Sequence, residues 1–376
     1  MDPEDCLPIV IDNGSGSCKA GFAGEDSPRT VFPSIIGYPK HPGIMTGMDT
    51  KELYIGDEAE CSRGVLYLRY PVQRGQVIDW NEMERLWSHT FYNELRADPE
   101  SHAVLLTEPV LNPKSNREQM QEMMFELFHV PAFYVAIQAV LALYAAGRTL
   151  GVVLDMGEGV THSVPIYDGY ALPHAVFRLC LAGWDLTEYM KKLLRECGYT
   201  FITTAEHEIV RDLKEKVCCC SMDFEQDLAA ASEGKSPEEM YELPDGNIVA
   251  VRSERFRVVE PLFKPSLLGI EGGGIHEAVL SALSKCDLDI RSSMLQNIVL
   301  SGGTSMIPGL PTRLRTELTH RTPESCKVKV FAPAGRKLSV WIGGSILASL
   351  SSFREWWITK KDYEEVGPVI VHRKCF

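Results

Sequence analysis

The stretch LPIVIDNGSGSCKAGFAG, residues 7–24, decides how this chain folds. A short apolar run ends at Asp12, a turn rich in glycine and serine follows, and the chain returns through residues 17–24. This order predicts a β-hairpin with a glycine-rich tip. Because glycine has no side chain, several backbone N–H groups of such a tip can approach and hold one phosphate group.

A second copy of the same design lies at residues 150–165, LGVVLDMGEGVTHSVP, where Asp155 ends the apolar run. Either tip alone is consistent with an ordinary hairpin turn, and neither is a P-loop, because the pattern GxxxxGK[ST] is absent. Two tips that each follow an aspartate indicate an internal duplication. We therefore expect Asp12 and Asp155 to face each other across a cleft that holds phosphate groups.

The side chains of the two hairpins favour a nucleotide that carries a divalent cation. Carboxylates such as those of Asp12 and Asp155 can hold the hydration shell of Mg²⁺, and Lys19 offers a point charge to phosphate groups. A third glycine signal, NIVLSGGTSM at residues 297–306, runs from a buried strand into Gly-Gly before a helix. Such a turn can lie along a base and ribose, although Gly-Gly turns before helices are common in proteins.

Apolar residues at three- to four-residue spacing predict helices in both halves of the chain. The predicted helices are residues 80–95, 116–128, 183–197 and 203–220. Thr204 is the expected cap of the last one. The polar residues 229–242 predict an exposed insertion, and the LPDG that follows predicts a turn that opens another hairpin. The second half of the chain repeats the first, and the predicted fold class is α/β.

Length and composition limit the class of protein. The chain has 376 residues, of which 45% are hydrophobic and 24% charged, which favours a folded protein with two large domains or a bilobal body. No apolar run approaches the roughly 20 residues that span a bilayer. The acidic start MDPEDCLPIVID is unlike a signal peptide, so we expect no membrane insertion and a location in the cytosol or nucleus. The net charge of −13 argues against direct nucleic-acid binding and favours basic protein surfaces as partners.

The 11 cysteines are scattered, odd in number and without a CxxC pair, so we expect reduced thiols rather than disulfides or a structural metal site. Cys218, Cys219 and Cys220 fall on a predicted helix. Consecutive side chains on a helix point about 100° apart, so these three cannot bind one metal ion together. Cys375 is expected to be an exposed thiol.

At the three glycine-rich segments, and over the whole length of the chain, the sequence resembles actin. The other stretches that carry the resemblance are YNELR at 92–96, residues 131–147, residues 208–216, YELPDG at 241–246, WIGGSILASL at 341–350 and IVHRKCF at 370–376. Sugar kinases and heat-shock chaperones of the same superfamily share the hairpin signals. The last two stretches are specific to actins and their close relatives.

The resemblance implies an actin-like ATPase fold with two duplicated lobes, each a mixed β-sheet flanked by helices, and a nucleotide cleft between them. It also implies a division of the chain into four subdomains. These are subdomain 1 at residues 1–33, 71–145 and 339–376, subdomain 2 at 34–70 with a neighbour-binding loop at 41–51, subdomain 3 at 146–181 and 271–338, and subdomain 4 at 182–270.

The resemblance further implies a site for ATP or ADP with Mg²⁺ or Ca²⁺, in which Asp12 and Asp155 bind the cation through water. The residues implied to contact the phosphate groups are Gly14, Ser15, Gly16, Lys19, Gly157, Glu158 and Gly159. Those implied to surround the ribose and adenine are Lys214, Glu215, Gly303, Thr304, Met306 and Lys337. Gln138 and His162 match the residues that position the attacking water and relay its protons. Such roles suit phosphoryl transfer, which depends on orientation more than on covalent help.

The implied function is that of an ATP-binding cytoskeletal subunit in the cytoplasm, which polymerises into filaments and hydrolyses ATP slowly as it assembles. Its implied partners are copies of itself, actin-binding proteins and motors of the myosin class. The apolar residues Ile44, Met45 and Met48 would insert into the next subunit.

Two alternatives to a filament subunit remain. One is an actin-related scaffold that caps filaments or sits in a fixed complex and binds ATP without significant turnover. The other is a metabolic kinase of the same superfamily, which would need a catalytic base beside a sugar pocket, and the sequence shows neither.

Several positions depart from the actin pattern. Glu158 stands where actins carry aspartate, and its extra methylene moves the carboxylate by roughly 1.5 Å, while a misplacement of about 1 Å can cost about 100-fold in rate. Either hydrolysis is slowed while binding survives, or Glu158 reaches the same neighbours through another rotamer, and the sequence leaves both open. The other departures, in the pocket and at contact surfaces, are Tyr38, Arg74, Met156, Trp184, Ser292, Ser293 and Ile307.

Overall fold

The structure is a computed structural model that describes residues 6–40, 51–235, 237–324 and 326–375. The loop predicted to bind a neighbouring subunit lies outside the described residues except for Lys51. The predictions for Ile44, Met45 and Met48 therefore stay predictions.

The described residues form both strands and helices. The strands are β1 (Ile9–Asn13), β2 (Ser17–Phe22), β3 (Thr30–Pro33), β4 (Ile36–Pro39), β5 (Tyr54–Ile55), β6 (Leu66–Arg69), β7 (Val72–Gln73), β8 (Gln76–Val77), β9 (Val104–Glu108), β10 (Ala132–Ile137), β11 (Gly151–Met156), β12 (Thr161–Tyr167), β13 (Tyr170–Ala171), β14 (Phe177–Leu179), β15 (Glu239–Glu242), β16 (Ile248–Val251), β17 (Ile298–Ser301), β18 (Val330–Phe331) and β19 (Ile358–Thr359). The α-helices are α1 (Asp57–Cys61), α2 (Trp80–Ser88), α3 (Lys114–Glu122), α4 (Gln138–Ala145), α5 (Gly183–Glu196), α6 (Thr204–Val217), α7 (Phe224–Ser232), α8 (Glu254–Arg257), α9 (Ile275–Ser284), α10 (Leu288–Leu295), α11 (Leu310–Arg321), α12 (Ser339–Ser349), α13 (Lys360–Val366) and α14 (Val371–Lys374).

The first large sheet is built around the first hairpin. Its strand order is β19-β10-β9-β1-β2-β3, with β1 antiparallel to β2 and parallel to β9. Ile9, Val10 and Ile11 are completely buried because the sheet is covered on both faces, which is why β1 reads as a continuous apolar run. In the hairpin, Asp12 lies directly opposite Lys19.

The second large sheet repeats this plan. Its order is β13-β12-β11-β17-β18, with β14 also paired to β12. Here β11 is antiparallel to β12 and parallel to β17, so a hairpin again has a parallel strand beside its first strand. Asp155 lies directly opposite His162, at the position that Lys19 occupies in the first hairpin. The duplication that the two hairpins predicted therefore extends to the strand order of both sheets.

Helices α4 and α12 pack against each other and connect the two sheets, since α12 contacts β1 and α4 contacts β11. Two glycines of α12 make this packing possible. A Cβ on Gly343 would lie 1.8 Å from the carbonyl oxygen of Leu141, and one on Gly344 would lie 2.8 Å from Cγ1 of Val10. Trp341 Nε1 also donates to the Val10 carbonyl oxygen at 3.0 Å. The WIGGS stretch thus fixes α12 beside the strand that ends at Asp12.

Most of the predicted elements are confirmed. Helix α5 has the predicted position, and α2 and α3 continue as π-helical stretches that complete the predicted helices, His89–Leu95 and Met123–Leu127. The LPDG turn joins β15 to β16, as predicted. The predicted insertion at 229–242 is largely exposed, but it contains the end of α7 and the whole of β15.

The helix predicted at 203–220 is shorter than expected, and its N-cap is one residue earlier than predicted. Thr203, not Thr204, is the N-cap, because its Oγ1 accepts a hydrogen bond from Glu206 N at 3.2 Å. The helix ends at Val217, so the three cysteines after it are not helical. The backbone N–H groups of Cys219 and Cys220 instead donate to carbonyl groups of other segments. These tertiary hydrogen bonds outweigh the local helical tendency.

The cysteine predictions are partly right. Among the described residues, which include all 11 cysteines, no disulfide forms. Cys375 is buried rather than exposed, because it packs into the core of the first sheet with only 2% of its surface accessible. Burial raises the pKa of the Cys375 thiol to about 12.

Over the described residues, no helix has both the length and the hydropathy needed to cross a membrane.

Candidate functional site

A cavity of about 600 Å³, here called the central cavity, lies where the two hairpin tips meet the third glycine-rich turn and helix α6. Asp12 and Asp155, which stand near the ends of the first strands of the two hairpins, both line it. The packing explains why the two tips lie close together. β1 and β11 are interior strands of their sheets, and the helices α12 and α4, which pack on these strands, also pack on each other.

The first hairpin brings a complete ion pair to the cavity. Asp12 Oδ2 accepts from Lys19 Nζ at 2.7 Å, and both side chains are almost fully buried. Asp12 Oδ1 accepts from Thr107 Oγ1 at 2.6 Å and from Gln138 Nε2 at 3.1 Å. Burial opposes the charge on Lys19, but the attraction to Asp12 outweighs it and raises the pKa of the lysine. Lys19 is therefore charged at neutral pH.

The second hairpin brings a carboxylate that has no such partner. Among the described residues, no lysine or arginine lies within ion-pair distance of Asp155. Burial, with repulsion from Asp12, raises the pKa of Asp155 to about 6. A hydrogen bond with Ser301 and the positive charge of Lys19 oppose this rise, but neither is an ion pair with Asp155, and a half-buried charge that lacks one is costly. A divalent cation near Asp12 and Asp155 would supply that counter-charge, so this pair of carboxylates fits a magnesium or calcium ion bound to a nucleotide.

The two tips touch each other, and only glycine fits at the contact. A Cβ on Gly159 would lie 2.5 Å from Ser15 Oγ, and one on Gly16 would lie 3.0 Å from the Cβ of Glu158. Ser15 Oγ also accepts a hydrogen bond from Gly75 N at 3.0 Å. Bare backbone at both tips leaves N–H groups open to a ligand, which fits a phosphate cradle.

The third glycine turn is fixed to the second tip. Thr304 Oγ1 donates to the Gly157 carbonyl oxygen at 2.8 Å. Gly183 lies beside Thr304, and its carbonyl oxygen accepts from Lys214 Nζ at 2.7 Å; Lys214 Nζ also lies 3.9 Å from Glu158 Oε2. The remaining predicted base and ribose residues line the same cavity, namely Glu215, Gly303, Met306 and Lys337.

Over residues 4–376, nearly the full length, the sequence matches the family model of actin. The chain belongs to the actin family. This confirms the resemblance seen in the sequence, and the mixed α/β sheets fit an actin-like fold. Members of the actin family typically bind ATP or ADP with a divalent cation and are typically ATPases.

In this actin-family chain, the predicted site residues converge with one exception. Gln138 and all the residues predicted to bind nucleotide or cation line the central cavity. His162 does not belong to the lining and is 3% exposed. Burial and the positive charge of Arg178 lower the pKa of His162 to about 4, so its imidazole is neutral at pH 7. Its Nε2 atom is buried and has no hydrogen-bond partner among the described residues.

Glu158, the main departure from the actin pattern, extends toward α5 and α6. Its Oε2 atom would lie 2.4 Å from a Cβ on Gly183, and its Oε1 atom is buried without a hydrogen-bond partner among the described residues. A buried carboxylate oxygen of this kind needs a donor. The extra methylene thus directs the carboxylate toward Lys214, and a ligand hydroxyl or a water molecule could satisfy the second oxygen.

Sequence reasoning missed a charged wall of the central cavity. Arg211 of α6 forms ion pairs with Glu60 of α1 at 2.8 Å and with Glu208 at 2.7 Å, and all three line the cavity. Glu208 also accepts from the Tyr70 hydroxyl at 2.7 Å. Only the resemblance at residues 208–216 touched this region, and no local motif connects Arg211 to α1, about 150 residues earlier.

Proposed function

We propose that this actin-family chain binds ATP with Mg²⁺ or Ca²⁺ in the central cavity and polymerises into actin-like filaments, with slow ATP hydrolysis linked to assembly. The observation that carries the proposal is the pairing of two glycine tips with two aspartates, of which the buried Asp12 has a lysine partner and the half-buried Asp155 has no ion-pair partner among the described residues. That arrangement offers N–H donors and one ammonium to phosphate groups and a net negative charge to a cation.

In this proposal, different residues of the cavity bind the phosphate groups, hold the cation and position the attacking water. The backbone of both tips and Lys19 bind phosphate oxygens, while Asp12 and Asp155 hold the water shell of the cation, which supplies charge neutralisation when bound. Gln138 is oriented by its hydrogen bonds to Asp12 and Thr107, so its amide is suited to position a water molecule. His162 is neutral at pH 7, but its lowered pKa of about 4 makes it a weak base, and it must also reach the cavity before it can relay a proton.

In this proposal the two large sheets belong to two lobes that close on the nucleotide, divided into the four subdomains expected from the sequence. Filament contacts come from the loop at 41–51, and the partners are copies of the chain, actin-binding proteins and motors of the myosin class. The proposed location is the cytoskeleton in the cytoplasm.

The second candidate function is a scaffold or capping protein that binds ATP without significant turnover. Two observations favour it. His162 is enclosed and does not line the cavity, and the Glu158 carboxylate is directed toward Lys214 and Gly183. Both would slow hydrolysis without preventing binding.

The deciding experiment follows pelleting and phosphate release together after protein in Mg-ATP is brought to higher salt. We expect the chain to pellet and to release phosphate slowly. The matched variant Gln138→Ala should bind ATP and pellet but release phosphate at least about tenfold more slowly. Soluble protein that retains ATP and releases no phosphate would establish the scaffold instead. Protein that retains no nucleotide would contradict both candidates.

A further inference from the structure

Thr107 of β9 lies behind the wall of the central cavity. It is 2% exposed and does not belong to the cavity lining, and it lines instead a second, smaller cavity of about 20 Å³. The three residues before it in the strand, Val104, Leu105 and Leu106, are completely buried apolar side chains. Valine has nearly the shape of threonine and would suit such a strand, whereas a buried hydroxyl is costly unless it forms hydrogen bonds. The hydrogen bonds of this hydroxyl therefore indicate what Thr107 contributes.

The strand order of the first large sheet places Thr107 between two residues of the central cavity. β9 lies between β1 and β10 and is parallel to both. Asp12 and Thr107 are each the fourth residue of a five-residue strand, and Gln138 begins α4 directly after β10. Since neighbouring parallel strands have their carboxyl ends at the same edge of a sheet, the three side chains meet there.

The hydrogen bonds among these three side chains determine which way the Gln138 amide faces. Thr107 Oγ1 donates to Asp12 Oδ1 at 2.6 Å, and Gln138 Nε2 donates to Asp12 Oδ1 at 3.1 Å and to Thr107 Oγ1 at 3.3 Å. A hydroxyl has one hydrogen to donate, so Thr107, which gives its hydrogen to Asp12, can only accept from Gln138. Gln138 must therefore turn its NH₂ group toward both partners and its carbonyl oxygen away from them. That oxygen is left to accept a hydrogen bond from a water molecule in the cavity, which Gln138 lines.

The same hydroxyl also holds the carboxylate to which Gln138 donates. Lys19 Nζ donates to Asp12 Oδ2 at 2.7 Å and Thr107 Oγ1 donates to Asp12 Oδ1, so each carboxylate oxygen has its own donor. A carboxylate held at both oxygens keeps its orientation, and an amide is positioned only as well as the groups it donates to. Thr107 thus supports Gln138 directly through its own oxygen and indirectly through Asp12.

We propose that Thr107 is a positioning residue for ATP hydrolysis, which acts by holding the Gln138 amide in the orientation that places the attacking water. The proposal rests on the proposed function, since it needs a hydrolysis reaction in the central cavity. Thr107 itself would touch neither the nucleotide nor that water, because it lies behind the lining. Loss of its hydroxyl should therefore slow the chemical step and leave nucleotide binding almost unchanged.

The test compares Thr107→Val with the parent in two measurements. The first is the dissociation constant of a fluorescent etheno-ATP with Mg²⁺ at low salt, and the second is phosphate release per pelleted subunit in Mg-ATP at higher salt. Thr107→Val keeps the shape of the side chain but loses the hydroxyl, so phosphate release should slow by about three- to tenfold while the dissociation constant changes by less than about twofold. Thr107→Ser keeps the hydroxyl and should release phosphate within about twofold of the parental rate.

A double variant tests whether Thr107 acts through Gln138. If it does, Thr107→Val has no further effect once the amide is gone, so Thr107→Val combined with Gln138→Ala should release phosphate at the rate of Gln138→Ala alone. A role in stability alone would instead slow release by the same factor in both backgrounds.

The matched control is Thr90→Val, which removes another fully buried threonine hydroxyl. Thr90 Oγ1 donates to the Leu86 carbonyl oxygen at 2.7 Å, and Thr90 lines neither of the two cavities. Thr90→Val should release phosphate at the parental rate.

Several results would overturn the proposal. These are a parental rate of phosphate release from Thr107→Val, a loss of etheno-ATP binding as large as its loss of rate, and equal slowing in the Gln138→Ala background. A parent that binds etheno-ATP but releases no phosphate would refute the proposed hydrolysis and this proposal together. Circular dichroism confirms that each variant is folded. Where Thr107→Val is not, Thr107→Cys replaces it, because a thiol is a weak hydrogen-bond donor and acceptor.

Discussion

The two hairpins have the same geometry but different charges. In the first, Asp12 lies opposite Lys19, and the two form a buried ion pair. In the second, Asp155 lies opposite His162, which is neutral at pH 7. The equivalent cross-strand position thus carries a cation in one hairpin and an uncharged ring in the other.

This difference shows that two hairpins of the same geometry can differ in their electrostatics, and therefore in how strongly each would interact with a bound cation. The first hairpin neutralises its own aspartate through the ion pair of Asp12 with Lys19. The second gives Asp155 no ion-pair partner among the described residues, and burial, with repulsion from Asp12, raises the pKa of its carboxyl to about 6. The second hairpin is therefore the one whose electrostatics improve when a cation binds. Substitutions made in parallel in the two hairpins can break or sharpen this contrast.

The largest effect is expected from replacing each aspartate by asparagine in protein freed of cation by EDTA. Asp12→Asn leaves Lys19 buried without its partner and should lower the free energy of unfolding by about 3 to 5 kcal/mol. Asp155→Asn removes a half-buried charge that has no ion-pair partner among the described residues, and asparagine can keep the hydrogen bond with Ser301, so the free energy should stay unchanged or rise. Urea unfolding measures both. Equal losses from the two variants would contradict the asymmetry.

A smaller effect is expected at the contact between the tips. Gly159→Ala would place a Cβ 2.5 Å from Ser15 Oγ and 2.9 Å from Arg74 N, so we expect a loss of about 1 to 3 kcal/mol. Gly157→Ala is the matched control, because its Cβ would come no closer than 3.3 Å to another atom. Thermal unfolding of the two variants should separate them clearly. Similar melting temperatures would show that the tips are not in tight contact.

The smallest effect is a dependence on pH that belongs to the second hairpin. The pKa of His162 falls from its ordinary value of 6.5 to about 4 on folding, mainly through burial. Between these values only the unfolded chain binds the proton, so stability is lost as pH falls through this window. From pH 7 to about pH 5.5 this contribution is about 1 kcal/mol.

The variant His162→Gln isolates this contribution, because glutamine does not titrate. Urea unfolding of parent and variant at both pH values gives the difference in slope, which cancels the contributions of groups that both proteins share. The parent should lose about 1 kcal/mol more than His162→Gln. Parallel pH profiles would show that His162 is already accessible to protons in the folded protein.

Much of the fold follows from the sequence because its signals are local. The apolar runs that end at Asp12 and Asp155, with glycine directly after them, predict both hairpins, and the periodic segments predict α2, α3 and α5. The prediction was wrong where distant segments decide. The chain leaves the helical path after Val217 to hydrogen bond elsewhere, and Cys375 is buried by the core of the first sheet.

The candidate site is divided in the same way. The sequence by itself determined which residues could bind phosphate and cation, because glycine tips and strand-end aspartates are local features. Only the tertiary structure decided that Asp12 has an ion-pair partner while Asp155 has none among the described residues, that His162 lies behind the cavity wall, and that Gln138 donates to Thr107. These outcomes depend on burial and on charges brought together from distant parts of the chain, and local sequence patterns do not determine such distances.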